Sequence, residues 1–165
     1  GLLVRDALAR ETAEDAARFV ERELAARSYD GFNLVVVDAN AAILLAWDGH
    51  LSVRNFDPGV HVVVNVGADG DYAIPSHRPD VGEAQAENAD QVLTALQPDP
   101  GETSDAWLER AATVVSDHEY GVCVHGDGYG TRSSSLIRLA DGERTWRHAE
   151  GPPCETPYEA VDAAV

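Results

Sequence analysis

Residues 31–56 read GFNLVVVDANAAILLAWDGHLSVRNF, and this stretch decides the fold class. It contains short apolar and β-branched runs separated by Asp-, Asn- and Gly-containing segments, which suit tight hairpin turns. A further run of this kind follows the turn Asp57-Pro58-Gly59. The pattern predicts one antiparallel sheet of four consecutive strands. The strands are expected at residues 31–37, 42–47, 51–56 and 60–66.

Helical patterns lie on both sides of this meander. Residues 2–27 repeat apolar positions at helical spacing, and Thr12 with Asp15 resembles a capping box that starts the second helical segment. Two more helices are expected after the meander, followed by a second group of antiparallel strands. Blocks of helices and strands that follow one another in this way are typical of an α+β fold, here a single domain over residues 1–165. The later helices are expected at 81–96 and 104–116, and the later strands at 121–125, 131–139 and 144–148.

The charge balance excludes several classes of partner. The chain has 12 basic residues, all of them arginine, against 29 acidic ones, for a net charge of −17. Nucleic acid and anionic membrane surfaces are therefore not expected as partners. An acidic chain without lysine resembles cytoplasmic proteins of salt-loving archaea, and the alternative is an acidic protein of a GC-rich mesophile. The two cysteines form no disulfide framework, so a reducing cytoplasm is the expected location.

The Cys123-Val-His125 segment is a candidate ligand set for a metal ion or haem. Cys123 and His125 lie two positions apart on an expected strand, and His118 and His148 are near in sequence. The spacing matches no closed zinc pattern. The sequence therefore favours a packed core pair and predicts no metal site, with haem kept as an alternative.

Two asparagines are candidate oxyanion or ligand-binding groups. Asn33 and Asn65 both fall among valines in expected strands, where an amide needs a hydrogen-bond partner. Such an amide could donate to a developing oxyanion or to a ligand carbonyl. The alternative is that each side chain only ties a neighbouring loop.

Residues 126–135 form a Gly-rich segment, GDGYGTRSSS, that could bring backbone N–H groups and Arg132 to a ligand. No Lys and no helix follow the glycines, so it is not a phosphate-binding loop of the Walker type. The alternative is a flexible hairpin loop. Its serines stand near histidines, but no Gly-x-Ser-x-Gly elbow supports a hydrolytic triad. The candidate ligand-binding or oxyanion residues are Asn33, Asn65, Gly130, Thr131, Arg132 and Ser133.

Several motifs, taken together, resemble the NRDE family, also called the transport and Golgi organisation protein 2 family. The most specific is Gly-Tyr-Gly-Thr-Arg-Ser at 128–133, and the second is Tyr-Asp-Gly-Phe-Asn-Leu at 29–34. Val-Val-Val-Asn at 62–65 and Val-Cys-Val at 122–124 agree in order and separation. The resemblance covers the chain to about Tyr158 and corresponds to the later two thirds of a typical member.

The resemblance implies an N-terminal-nucleophile hydrolase-like α-β-β-α sandwich. Members normally begin Met-Cys, the cysteine standing at the nucleophile position, whereas position 1 here is glycine. We therefore expect a truncated fragment whose nucleophile lies upstream, so that no catalytic residue is expected within this chain.

Three functions follow as expectations from the resemblance. The first is an amide hydrolase or acyltransferase, with Asn33, Asn65 and Arg132 as supporting groups. The second is a non-catalytic carrier of haem or another hydrophobic small molecule, and the third is a structural relic. The expected partners are an unidentified small molecule and either a second copy of the chain or the N-terminal segment.

Overall fold

The stretch of residues 31–56 folds as three antiparallel strands in the computed structural model of the chain, which describes residues 1–140 and 142–162. The strands are β1 (Phe32–Val37), β2 (Ala42–Trp47) and β3 (Leu51–Asn55), and β2 lies between the other two. Asp38 closes the first turn, because its carboxylate accepts hydrogen bonds from the N–H groups of Asn40 and Ala41 at 2.7 and 2.9 Å. The first two predicted hairpin turns are confirmed, whereas Asp57-Pro58-Gly59 does not join two paired strands.

Two helices pack against one face of this sheet. They are α1 (Leu2–Leu8) and α2 (Ala13–Ala26), and α2 begins as expected, with the Thr12 hydroxyl accepting a hydrogen bond from the Asp15 N–H at 3.1 Å. Val20 on α2 and Leu45 on β2 are fully buried at the centre of the resulting core. Alternate residues of β1 and β2 face this core, namely Leu34, Val36, Ile43 and Leu45, as the period of two in a strand requires.

The expected fourth strand at 60–66 is wrong. Only Val63–Val64 forms a strand, β4, and it pairs with β5 (Gly67–Ala68) and then β6 (Asp71–Tyr72) in a separate three-stranded sheet. The Asp69 carboxylate accepts a hydrogen bond from the Val62 N–H at 2.9 Å, which removes that group from any longer ladder. A β-rich run is thereby cut into a short meander.

Asp69 is the centre of a charged network in this part of the chain. Its carboxylate lies 2.8 Å from the Arg54 guanidinium and 2.7 Å from Nδ1 of His61. Nε2 of His61 lies 2.7 Å from the Asp57 carbonyl oxygen, so both ring nitrogens face acceptors. Partial burial opposes the charged forms, but the hydrogen bonds prevail: the pKa of His61 is raised and that of Asp69 is lowered.

The contacts divide the chain into two compact units, Gly1–Gly82 and Glu83–Val165. The elements above belong to the first unit. Helix α3 (Pro79–Ala95) begins in the first unit and runs into the second, which also holds α4 (Ser104–Ser116) and a 3-10 helix at His118–Tyr120. Both α-helices agree with the sequence prediction. The strands of the second unit are β7 (His125–Gly126), β8 (Tyr129–Gly130), β9 (Ser134–Ala140), β10 (Glu143–Ala149) and β11 (Glu159–Ala160).

Strands β9, β10 and β11 form an antiparallel sheet in the order β11-β10-β9. Helix α4 is tied to it by ion pairs, with Arg147 of β10 2.8 Å from Glu109 and Arg138 of β9 3.3 Å from Asp105. The antiparallel pairing of the last two predicted strands is confirmed, although the first of them begins at Ser134 rather than at Thr131. The α+β class with antiparallel sheets is also confirmed.

The expected strand at 121–125 is wrong. Gly121 adopts a left-handed conformation, with φ of 63°, and only His125–Gly126 pairs with a neighbour, β8. The segment before His125 is held by side-chain hydrogen bonds rather than by a strand ladder. The single-domain organisation, the α-β-β-α sandwich and the missing N-terminal segment stay predictions.

Strand β1 lies at an edge of its sheet and leaves apolar side chains in solvent. Val35 is 38% exposed and Val37 is 55% exposed. A second copy of the chain or an N-terminal segment is expected to cover an edge of this type, and each of these two partners stays a prediction. Among the described residues, no helix combines the length and the apolar character needed to cross a bilayer.

Candidate metal centre

Four side chains of the second unit converge on one point: His118, Cys123, His125 and Cys154. Each contributes one nitrogen or sulfur atom, and these four atoms all lie within 4.8 Å of one another. The two Sγ atoms are 3.3 Å apart. Nε2 of His125 lies 3.0 Å from Sγ of Cys154 and 3.7 Å from Sγ of Cys123. We call this group the His/Cys cluster.

The spacing of three of the four ligand atoms, those of Cys123, His125 and Cys154, is close to that of a tetrahedral metal site. Zinc bonds sulfur at about 2.3 Å and imidazole nitrogen at about 2.0–2.1 Å, so the ligand atoms of a tetrahedral site are separated by roughly 3.3–3.8 Å. The three distances given above for the cluster run from 3.0 to 3.7 Å. One ion could therefore contact these atoms with small side-chain movements.

A tight backbone reversal brings His118 to the cluster. Asp117 begins the 3-10 helix, because its carboxylate accepts a hydrogen bond from the Glu119 N–H at 2.9 Å. Gly121 ends it in the left-handed region, and a Cβ atom there would overlap the Asn88 side chain. Only glycine satisfies both conditions, so the chain can turn directly from His118 towards Cys123.

Thr131 holds the segment that carries Cys123. Its hydroxyl donates to the Val122 carbonyl and accepts from the Val124 N–H, both at 3.0 Å, and its own N–H donates to the Val124 carbonyl at 2.8 Å. At Gly130 a Cβ atom would lie 2.6 Å from the Val124 carbonyl oxygen. Gly130 and Thr131 thus fix the backbone on both sides of the Cys123 thiol.

Replacing Thr131 by valine should weaken zinc binding about tenfold, the lower end of the range found when an outer-shell partner of a metal ligand is lost. The isosteric valine removes both hydroxyl hydrogen bonds, whereas Thr131→Ser keeps them. Competition with a chromophoric chelator would measure the affinity. Ser133→Ala, two residues along the same loop, is the matched control. Equal affinities for Thr131→Val and the wild type would show that the hydroxyl does not position the ligand.

A second turn supplies Cys154. The N–H groups of Glu155 and Thr156 both donate to the Pro152 carbonyl, at 3.0 and 2.9 Å. Beyond this turn the Tyr158 hydroxyl lies 2.7 Å from the Ser134 hydroxyl. The cluster therefore joins two separated segments of the second unit, residues 118–125 and the turn that carries Cys154.

The surroundings of the cluster are polar and partly open to solvent. Cys123 is buried and Cys154 is exposed. His118, Cys123 and His125 line a shallow depression together with Gly121, Val124 and Glu155. Desolvation, followed by the neighbouring Cys123, raises the pKa of the Cys154 thiol. A cation at this place would stabilise the ionised form of the Cys154 thiol.

Of the two predicted asparagines, Asn33 makes structural hydrogen bonds and Asn65 lies in an exposed turn. The Asn33 amide donates to the Val64 carbonyl at 2.7 Å and lies 3.4 Å from the Asn65 carbonyl oxygen, so it ties β1 to the β4–β5 hairpin. Asn65 itself is exposed in the β4–β5 turn, which corrects its expected position within a strand. The loop-tying alternative describes Asn33.

Arg132 and Ser133 lie in the second unit and are exposed. Within residues 1–140 and 142–162, Arg132 makes no hydrogen bond or ion pair. A buried arginine usually forms a structural ion pair. Arg132 forms no such pair with the residues that the structure describes. Convergence of Arg132 with Asn33 and Asn65 concerns both units and stays a prediction.

One serine of the Gly-rich segment does meet a histidine. The Ser135 hydroxyl lies 2.9 Å from Nδ1 of His148, its partner across β9 and β10. Nε2 of His148 is 3.8 Å from the Glu150 carboxylate, which is 96% exposed. A carboxylate so exposed does not hold an imidazole in one orientation, so these contacts provide weak support for a hydrolytic triad.

Sequence reasoning did not include Cys154 in a site. It lies 31 positions from Cys123, and no local pattern links the two. One feature of the sequence could have indicated Cys154: the chain has two cysteines in all, and two histidines flank the first of them, Cys123, within five residues.

Comparison of the chain with protein-family models, curated proteins and solved structures finds no match. The resemblance to the NRDE family therefore stays a prediction from the motifs.

Proposed function

We propose that the protein binds one zinc ion through His118, Cys123, His125 and Cys154. The observation that carries the proposal is the convergence of four ligand atoms within 4.8 Å from two separated segments. A chance meeting of one histidine and one cysteine is common in a folded chain. Four such residues whose ligand atoms lie within 4.8 Å of one another are typical of a metal site.

The donor set selects the class of metal. Thiolate and imidazole ligands suit borderline and soft ions, whereas calcium and magnesium take oxygen ligands. Two sulfur and two nitrogen atoms form the Cys₂His₂ set of structural zinc sites. The four ligand atoms lie within 4.8 Å of one another, a separation that a single ion can bridge, which favours a bare ion over the haem that the sequence left as an alternative.

The role that the arrangement supports is structural. Catalytic zinc sites keep a position open for water or substrate, whereas four protein ligands close the coordination sphere. An ion here would tie the segment that carries Cys154 to the segment of residues 118–125. Binding free energy at such a site contributes directly to folding, because no preformed site exists in the unfolded chain.

Zinc content measured after gel filtration of the reduced protein tests this proposal, and the expected value is one ion per chain. Cys154→Ser and His125→Ala should each reduce the affinity by more than the roughly 10–100-fold caused by loss of an outer-shell partner. His148→Ala is the matched control, since His148 lies in the same unit and outside the cluster. Wild-type affinity in the cluster variants would contradict the proposal.

The hydrolase or acyltransferase activity implied by the resemblance stays a prediction. The residues assigned to it are Asn33, which holds a hairpin, Asn65, which lies in a turn, and Arg132. The contacts of these residues do not favour hydrolase or acyltransferase activity over zinc binding.

A further inference from the structure

We propose that the Cys123–Cys154 pair makes the zinc site sensitive to peroxide, so that oxidation joins the two sulfurs in a disulfide and releases the ion. This inference rests on the proposed zinc site and adds its regulation. The two Sγ atoms are 3.3 Å apart, and a disulfide bond is about 2.0 Å long. The two sulfurs are already in contact, so they need to approach by little more than an ångström.

The unequal exposure of the two cysteines sets the order of the reaction. Cys154 is exposed and Cys123 is buried, so a peroxide reaches Cys154 first. The Cys154 thiolate attacks one peroxide oxygen and the O–O bond breaks, which gives a sulfenic acid and hydroxide. Hydrogen peroxide is small enough to reach the exposed Cys154 sulfur directly from solvent.

The second step uses the neighbouring thiolate. Cys123 attacks the sulfenic sulfur, the S–S bond forms and a second hydroxide leaves. Two protons from solvent convert the two hydroxides to water. The two sulfurs together lose two electrons, and the peroxide gains them. Cys123 is thus the resolving cysteine of the pair.

Loss of the ion follows from the change in the donors. The disulfide sulfurs carry no negative charge, so His118 and His125 remain as the only strong donors of the four. A thiol reductant reverses the reaction by exchange with the disulfide and restores both thiolates. The site would then take up zinc again.

Hydrogen peroxide added to the reduced, zinc-loaded chain tests the inference, with a chromophoric chelator reporting free zinc. The expected result is release of one ion per chain, loss of both free thiols, and an intramolecular disulfide between Cys123 and Cys154 by peptide mapping. Dithiothreitol followed by added zinc should restore the loaded protein.

Cys154→His is the variant that separates disulfide formation from metal binding. It keeps four donors at an exposed position but cannot form the disulfide, so peroxide should release zinc at least about tenfold more slowly than from the wild type. Cys154→Asp serves the same purpose if the histidine variant fails to load.

The outcomes distinguish the two proposals. A reduced chain that binds no zinc overturns both of them. A chain that binds zinc but keeps it under peroxide overturns this inference alone. Release accompanied by sulfinic acid or by an intermolecular disulfide also overturns this inference and leaves the zinc site in place.

Discussion

Saturating zinc should raise the melting temperature of the reduced chain by on the order of 10 °C. An ion that binds only the native state stabilises it by about 4 kcal/mol when its free concentration is a thousand times its dissociation constant. For a chain of about this size, each kcal/mol shifts the melting temperature by roughly 2–4 °C. Scanning calorimetry of metal-free and zinc-loaded protein would measure the shift.

The acidity of the chain makes the control essential. A net charge of −17 attracts any cation, and screening by cations alone relieves self-repulsion. Magnesium at the same ionic strength is expected to reproduce the screening effect and no more, because it does not favour sulfur ligands. An equal shift in the Cys123→Ser/Cys154→Ser double variant would assign the effect to surface carboxylates.

Replacing Asp69 by alanine should lower the free energy of unfolding by about 2–3 kcal/mol, because it leaves charged and polar partners without their acceptor. The carboxylate accepts from Arg54, His61 and the Val62 N–H, all within 3.0 Å. Nε of Arg54 is already buried without a partner, so little else could compensate. Urea denaturation followed by circular dichroism would measure the loss.

The same network should give the wild type a distinctive pH dependence. The raised pKa of His61 means that its stabilisation is complete below the ordinary value of 6.5 and is lost as pH rises through the higher folded value. The lowered pKa of Asp69 means that its contribution is complete above 3.8 and is lost as pH falls through the folded value. The paired form is therefore strongest between about pH 4 and pH 6.5.

Asp69→Ala should flatten the decline in stability above pH 6.5, since His61 then has no carboxylate to pair with. Asp71→Ala is the matched control, because Asp71 is an exposed acid two residues away. A variant at position 69 that retains both the stability and the pH profile of the wild type would show that the network contributes nothing measurable.

The parts of the fold that the sequence predicts are those fixed by neighbours in the chain. Thr12 caps α2 through Asp15, three residues away, and the turn at Asp38 is closed by N–H groups two and three residues on. Such signals lie within a few residues of one another and can be read directly.

The two wrongly predicted strands have a common cause, which is hydrogen bonding by side chains that lie further away in the sequence. Asp69 takes the Val62 N–H across seven residues and shortens the expected strand at 60–66. Thr131 binds Val122 and Val124 across a glycine-rich turn and replaces a strand ladder. β-propensity alone contains no information on either hydrogen bond.

The candidate site shows the same division. The sequence singled out the Cys123–His125 pair and placed His118 nearby, but it preferred a packed pair because no zinc spacing was present. Cys154 lies in a turn 31 residues after Cys123, so the ligand set depends on tertiary structure. Gly130 and Thr131 were selected as ligand-binding residues, and the contacts found for them instead support the backbone beside Cys123.

X-ray absorption at the zinc edge of the loaded, reduced protein tests the proposed site most directly. The expected first shell has two sulfur atoms at about 2.3 Å and two nitrogen atoms at about 2.0–2.1 Å. The sulfur contribution should disappear in the Cys123→Ser/Cys154→Ser double variant. A first shell made only of oxygen and nitrogen in the wild type would contradict coordination by Cys123 and Cys154.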